Sequence, residues 1–114
     1  MDAWEWPESL DALVAAADFH ALLLQTDDVR VLDTRIGPGE TVPVHTHRWP
    51  AVLYVVAGGH FVRRDGEGNV LVDTRSGEPI SAGAALWSEP LPPHSLENVS
   101  DGEIRVVNVE LRNR

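Results

Sequence analysis

The stretch Gly39-Glu40-Thr41-Val42-Pro43-Val44-His45-Thr46-His47 decides how the rest of the chain is read. Residues i and i+2 of a β-strand point to one face, so a strand over 41–47 aims His45 and His47 side by side at one volume. A third imidazole stands about fifty residues on, in Pro92-Pro93-His94-Ser95-Leu96-Glu97-Asn98, where two prolines restrict the backbone that aims it. That separation is enough for a sheet to fold back and deliver His94 to the same place. Three neutral imidazoles from two strands form a facial set that suits Fe(II), Mn(II), Ni(II), Cu(II) or Zn(II) and leaves positions open for water or substrate.

Before this stretch, residues 9–17 carry apolar side chains at 10, 13, 14 and 17 behind a Ser9 cap, the pattern of one short helix. Residues 20–25 and 29–36, joined by Thr26-Asp27-Asp28, read as two strands, and Gly37-Pro38-Gly39 ends the second. After it, Arg48-Trp49-Pro50 interrupts, and residues 51–57 are apolar on both faces, which predicts a strand covered on both sides. Strands over 60–64 and 69–74 flank the Gly-rich hairpin Asp65-Gly66-Glu67-Gly68, and another strand runs from about 84 to 88. Residues 89–93 read as a proline-stiffened link, and 104–111 as the closing strand. About eight short strands and one short helix make the chain an all-β sandwich or barrel.

With 114 residues, this is one domain with a core of its own: an N-terminal arm and helix over 1–19, then a barrel over 20–111. Its 43% hydrophobic and 24% charged residues are those of a folded globular chain. A net charge of -9 excludes a surface for nucleic acid or anionic membrane, which needs clustered cations. All nine basic residues are arginine, and the absence of Cys excludes thiolate ligands, disulfides and a Cys nucleophile. The acidic, aromatic start Met1-Asp2-Ala3-Trp4-Glu5-Trp6-Pro7 is unlike a secretory leader, and no apolar run approaches the roughly 20 residues of a membrane span. A cytoplasmic location is the expectation.

On these residues the chain resembles the cupin superfamily. Its first motif runs Gly, five residues, His, one residue, His, three or four residues, Glu, six residues, Gly; Gly39, His45, His47 and Gly58 fall on it. Ala51 stands where the Glu is expected. Its second motif ends in His, three residues, Asn, and Gly83, His94 and Asn98 match it, with Glu89 and Leu91 replacing an internal Pro and Gly. More narrowly, Val29-Arg30-Val31-Leu32, Pro38-Gly39-Glu40 and Val107-Asn108-Val109-Glu110-Leu111 look like the small single-domain cupins of the β-alanine-degradation-protein type. The resemblance implies a jelly-roll β-barrel and, with the doubly apolar strand 51–57, a homodimer in which the first strand or helix crosses to the partner.

The expected metal ligands are His45, His47 and His94. Without a Glu ligand, a divalent ion held by three neutral rings keeps its full charge, so the site is expected to be a strong Lewis acid that takes anionic or bidentate oxygen substrates. Ala51 leaves room for a fourth ligand, for which His20, His60, Glu89 and Glu97 are the candidates. Trp49 and Trp87 either pack or flank an apolar pocket beside Ala51. Arg35, Arg63 and Arg105 could reach a substrate carboxylate, and Asn98 caps the turn after its strand. Three functions suit these residues. The first is an Fe(II)-type dioxygenase acting on a small organic substrate, because a three-His site resembles those of the cupin thiol and diketone-cleaving dioxygenases. The second is an isomerase or lyase in which imidazoles or Glu89 move protons; the third is a non-catalytic module that binds a small molecule.

Overall fold

The computed structural model describes residues 4–113; residues 1–3 of the expected arm, and Arg114, lie outside the described residues. Among the described residues nine strands form two antiparallel sheets. In one, β1 (His20–Gln25), β2 (Val29–Ile36), β9 (Ile104–Leu111), β4 (Ala51–Ala57) and β7 (Ala85–Ser88) lie in that spatial order. In the other the order is β3 (Thr41–His47), β8 (Leu91–Asn98), β5 (Phe61–Asp65) and β6 (Val70–Asp73). Chain neighbours β3 and β4 lie in different sheets, as in a jelly roll. Alternation does the sorting: on β9, Asn108 and Glu110 are buried while Val107 and Val109 face outward and are only half-buried.

The short helix α1 (Ala12–Ala15) is capped by Asp11, whose carboxylate accepts from the Leu13 amide, and not by the expected Ser9, which falls in a 3-10 turn over Glu8–Leu10. Ala12 and the following cap residue Ala16 are buried, and the larger Val14 is exposed. Small side chains let this segment sit close to β3, and Asp11 pairs with Thr46 as an extra strand would. Ala16 then joins Ile36 and Val42, with Phe19 and Leu96 against them, to close that end of the core.

The segment expected as a link, 89–93, is partly strand: β8 begins at Leu91 and includes Pro92 and Pro93. It is tolerated because the β3 to β8 register shifts there, from His45 opposite His94 to His47 opposite Leu91. Asn98, fully buried at the other end of β8, caps the turn as expected. Its amide nitrogen donates to the carbonyls of Ile36 at 2.9 Å and Gly102 at 2.9 Å, and its oxygen accepts from the Ser100 amide at 2.9 Å. Gly58 is required by space: a Cβ there would stand 2.0 Å from the Ile80 carbonyl oxygen.

The strand β4 is not covered on both faces in the single chain. Ala51 and Val55 are buried, but Val52, Tyr54 and Val56 are exposed on the outer side. Pairing continues that apolar surface across the whole sheet: Leu24 lies opposite Val31, Val31 opposite Val109, Val109 opposite Val52, and Val52 opposite Trp87. No helix among the described residues is long and apolar enough to cross a membrane.

Candidate metal centre

Strict alternation along β3 would turn Val42 and His45 to opposite sides. Both line the same cavity, because the register shifts between Val42 opposite Leu96 and His45 opposite His94, and Pro43 lies in that shift. His45 and His94 are therefore cross-strand partners, with ring centroids 4.3 Å apart, and His47 lies 5.0 Å from His45 and 5.7 Å from His94. From the facing sheet comes a fourth ring. His20, at the start of β1 and opposite Thr34, lies 5.1 Å from His45 and 5.4 Å from His47. Ring nitrogens of His20, His45 and His47 all fall within 4.8 Å of one another. All four imidazoles are between 2% and 8% exposed.

Each ring is held by the same nitrogen. Nδ1 of His45 donates to the Pro43 carbonyl at 2.7 Å, that of His94 to the Pro92 carbonyl at 2.8 Å, and that of His20 to the Ala16 carbonyl at 3.0 Å. Nδ1 of His47 donates to Glu110 Oε2 at 2.9 Å. Carbonyls and carboxylates only accept, so each Nδ1 carries the proton and each neutral ring keeps its lone pair on Nε2. In His45 and His94 the acceptor belongs to a proline two residues back, so Pro-x-His is a local clip used twice. Anchoring the distal nitrogen is how metal-ligating histidines are oriented, so the donor set fits a divalent transition metal.

Burial keeps three of the rings neutral. It pulls His20 down to about 4, His94 to about 3 and His45 to about 2; mutual repulsion among the imidazoles adds to it. His47 is tied instead into a charge relay. Glu110, 0% exposed, accepts from Arg30 Nε on its other oxygen, and Arg30 grips both oxygens of Asp11 at 2.9 and 3.0 Å. Burial alone would push the Glu110 carboxyl up, but the hydrogen bonds from His47 and Arg30 and the Arg30 charge hold it below the ordinary carboxylate value. Asp11 behaves in the same way beside Arg30.

Glu110 is the residue that sequence reasoning missed. It lies directly opposite Ala51, the position where a ligand Glu was expected, so a carboxylate does reach the site from the neighbouring strand, behind His47. The signal available was an acidic side chain at the inward parity of β9. Among the candidates for a fourth ligand, His20 joins the cluster. His60 is spent on the Thr74 hydroxyl at 3.0 Å, Glu97 pairs with Arg64 at 3.0 Å, and Glu89 is exposed and accepts from the Trp87 indole. None of these three lines the cavity. Trp87, 48% exposed, is on the outer face, whereas Trp49 and Ala51 are lining residues. Arg30 lies over the Trp49 ring at 5.0 Å.

The cavity has a volume of about 120 Å³, room for about four water molecules at liquid density. Beyond the imidazoles its walls are chiefly apolar, with Leu53, Val55, Phe61, Leu86 and Val106 prominent. Arg35 and Arg105 do not enter it, being paired with Asp33 at 3.1 and 3.0 Å. Arg63 does enter it.

No protein-family model matches the sequence, and no curated protein matches it. Solved structures do. A cupin domain from Bordetella pertussis is 21% identical with a TM-score of 0.67, over 81% of this chain and 90% of that one. A conserved double-stranded β-helix protein from Klebsiella pneumoniae is 21% identical with a TM-score of 0.59, over 82% and 75%. The polyketide cyclase RemF from Streptomyces resistomycificus is 19% identical with a TM-score of 0.55, over 82% and 63%. The arrangement of sheets around a histidine-lined cavity and these likenesses lead to one conclusion: the chain has the cupin fold.

Proposed function

We propose that this protein is a metal-dependent cupin enzyme, of the Fe(II) dioxygenase type, that acts on a small organic substrate. The observation that carries the reading is the shared orientation of the imidazoles: every Nδ1 is occupied by an acceptor, and every Nε2 lone pair is left for a metal. His45 and His47 would hold the ion together with His94, the ligand set expected from sequence, or with His20, whose ring nitrogen lies in the tight group. A bound ion would supply Lewis acidity and, for iron, redox chemistry. The chain's own contributions are to hold the rings neutral, to fix their direction, and to surround the site with apolar walls. Through His47, the buried Glu110 carboxylate makes one ligand more basic, which offsets the missing Glu at position 51.

Oxygen uptake by Fe(II)-loaded protein with a panel of small carboxylic acids, thiols and diketones tests the reading. Uptake that is lost in His47→Ala supports it. Turnover without oxygen would instead indicate an isomerase or lyase, and binding without turnover a non-catalytic module. The narrower likeness to the β-alanine-degradation-protein type and a cytoplasmic setting belong to the same proposal, and rest on the sequence features given above.

We also propose that a second copy covers the outer face of the five-stranded sheet. Its support is the apolar row from Leu24 to Trp87, which crosses five strands at roughly 4.8 Å spacing, about 19 Å in all, and suits face-to-face packing about a two-fold axis. Light scattering should give a dimer that Val52→Lys dissociates; a monomeric wild type at micromolar concentration would refute it.

A further inference from the structure

Among the described residues, Arg63 has no carboxylate partner. Its place on β5 is set by pairing: Arg63 lies opposite Leu96, so it shares the inward face with Phe61 and stands one row from His94. The guanidinium lines the cavity, and its Nε is buried with no hydrogen-bond partner among the described residues. The carboxylates that could serve it are engaged elsewhere. Asp65 accepts from the amides of Glu67 and Asn69 at 2.8 and 2.9 Å, Glu97 is paired with Arg64, and Glu110 with Arg30 and His47. The contact that remains is the Phe61 ring, 5.9 Å from the guanidinium carbon.

Arg63 is half-buried, and a guanidinium whose buried Nε has no acceptor is costly to keep; the cost is recovered when an anion binds there. One planar fork matches one carboxylate, and the neighbouring walls, Phe61, Leu53, Leu86 and Val106, offer apolar surface and no further cation. We propose that Arg63 anchors the carboxylate of a small organic acid whose apolar body fills the cavity and whose far end reaches the imidazole cluster. The proposal rests on the cavity being the substrate pocket of the function proposed above, and it names the substrate class: monocarboxylates, in preference to their amides or to inorganic phosphate.

Calorimetric titration of the full chain, both stripped with a chelator and loaded with Zn(II), separates this proposal from the metal reading. The probes are butanoate and benzoate, with butanamide, benzamide and inorganic phosphate as comparisons. Butanoate or benzoate should bind both forms of the wild type, and Arg63→Met should weaken that binding in both by at least about tenfold, or about 1.4 kcal/mol. Arg63→Lys should retain part of it, and amide binding should be the same in wild type and Arg63→Met. Carboxylate affinity that is indifferent to Arg63→Met, or no carboxylate binding at millimolar concentration, would overturn the proposal, including the case in which carboxylates bind only the Zn(II) form and leave the metal reading intact. Carboxylate binding that depends on Arg63 in a protein that takes up no Zn(II) would uphold it while the metal reading falls.

Discussion

Arg30 and Arg63 are both turned inward, one from each sheet, and they are used in opposite ways. Arg30 is closed on all sides: Asp11 takes its two terminal nitrogens, Glu110 takes Nε, and Trp49 covers its face. Arg63 lines the cavity without a carboxylate. The electrostatics follow the partners. Burial would lower both guanidinium groups, yet Arg30 is raised by Asp11 and Glu110, while Arg63 is lowered because burial acts unopposed. A charge spent inside the fold stiffens the structure behind the metal site, and a charge left unspent is available to a ligand.

The comparison breaks first, and hardest, at the Arg30 end. Glu110→Ala should destabilise the protein by about 3–5 kcal/mol in urea unfolding, because it leaves the buried Arg30 Nε without its acceptor and frees the His47 ring. A loss below about 1 kcal/mol would mean that the relay is not buried as a unit. Asn98→Ala, which deletes a neutral network of similar burial, should lose about 2–3 kcal/mol by the same assay.

Acid sharpens the comparison from the side of the imidazoles. Folding pulls His20, His45 and His94 from the ordinary 6.5 down to about 4, 2 and 3. Below pH 6.5 the unfolded chain therefore takes up protons that the folded chain refuses. Stability is full above that pH and falls as the pH drops towards 4, by up to about 1.4 kcal/mol per pH unit for each ring. Urea midpoints between pH 7.5 and 5 measure the slope, and His20→Asn should flatten it. The smallest effect belongs to Arg63→Met, expected within about 1 kcal/mol of wild type, since no ion pair is lost. A loss as large as that of Glu110→Ala would show that Arg63 is structural after all.

The strands and the cupin fold were legible because both follow from local pattern: the alternation of β9, the turn at Gly37-Pro38-Gly39, and the two-residue spacing of His45 and His47. The site was legible only in part. Its i, i+2 pair lines one cavity, but Val42 shares that face only through a register shift, which no periodicity reveals. Glu110 depends on which residue of β9 lies opposite Ala51, and His20 on the pairing of β1 with Thr34. The first is set by how β4 and β9 dock, and the second by the register of the β1–β2 hairpin, which shifts between Leu22 and Leu24. The outer surface of β4 misled for another reason: apolar side chains on both faces specify burial, but not whether the same chain provides it.

The most direct test of the metal centre is titration of chelator-stripped protein with Co(II), followed by its visible absorption. Four imidazoles with Nδ1 anchored and Nε2 open should bind one equivalent per chain and give the spectrum of a nitrogen-ligated ion, lost in His45→Ala and in His47→Ala but kept in His60→Ala. No saturable binding, or a spectrum unchanged by those two losses, would contradict it.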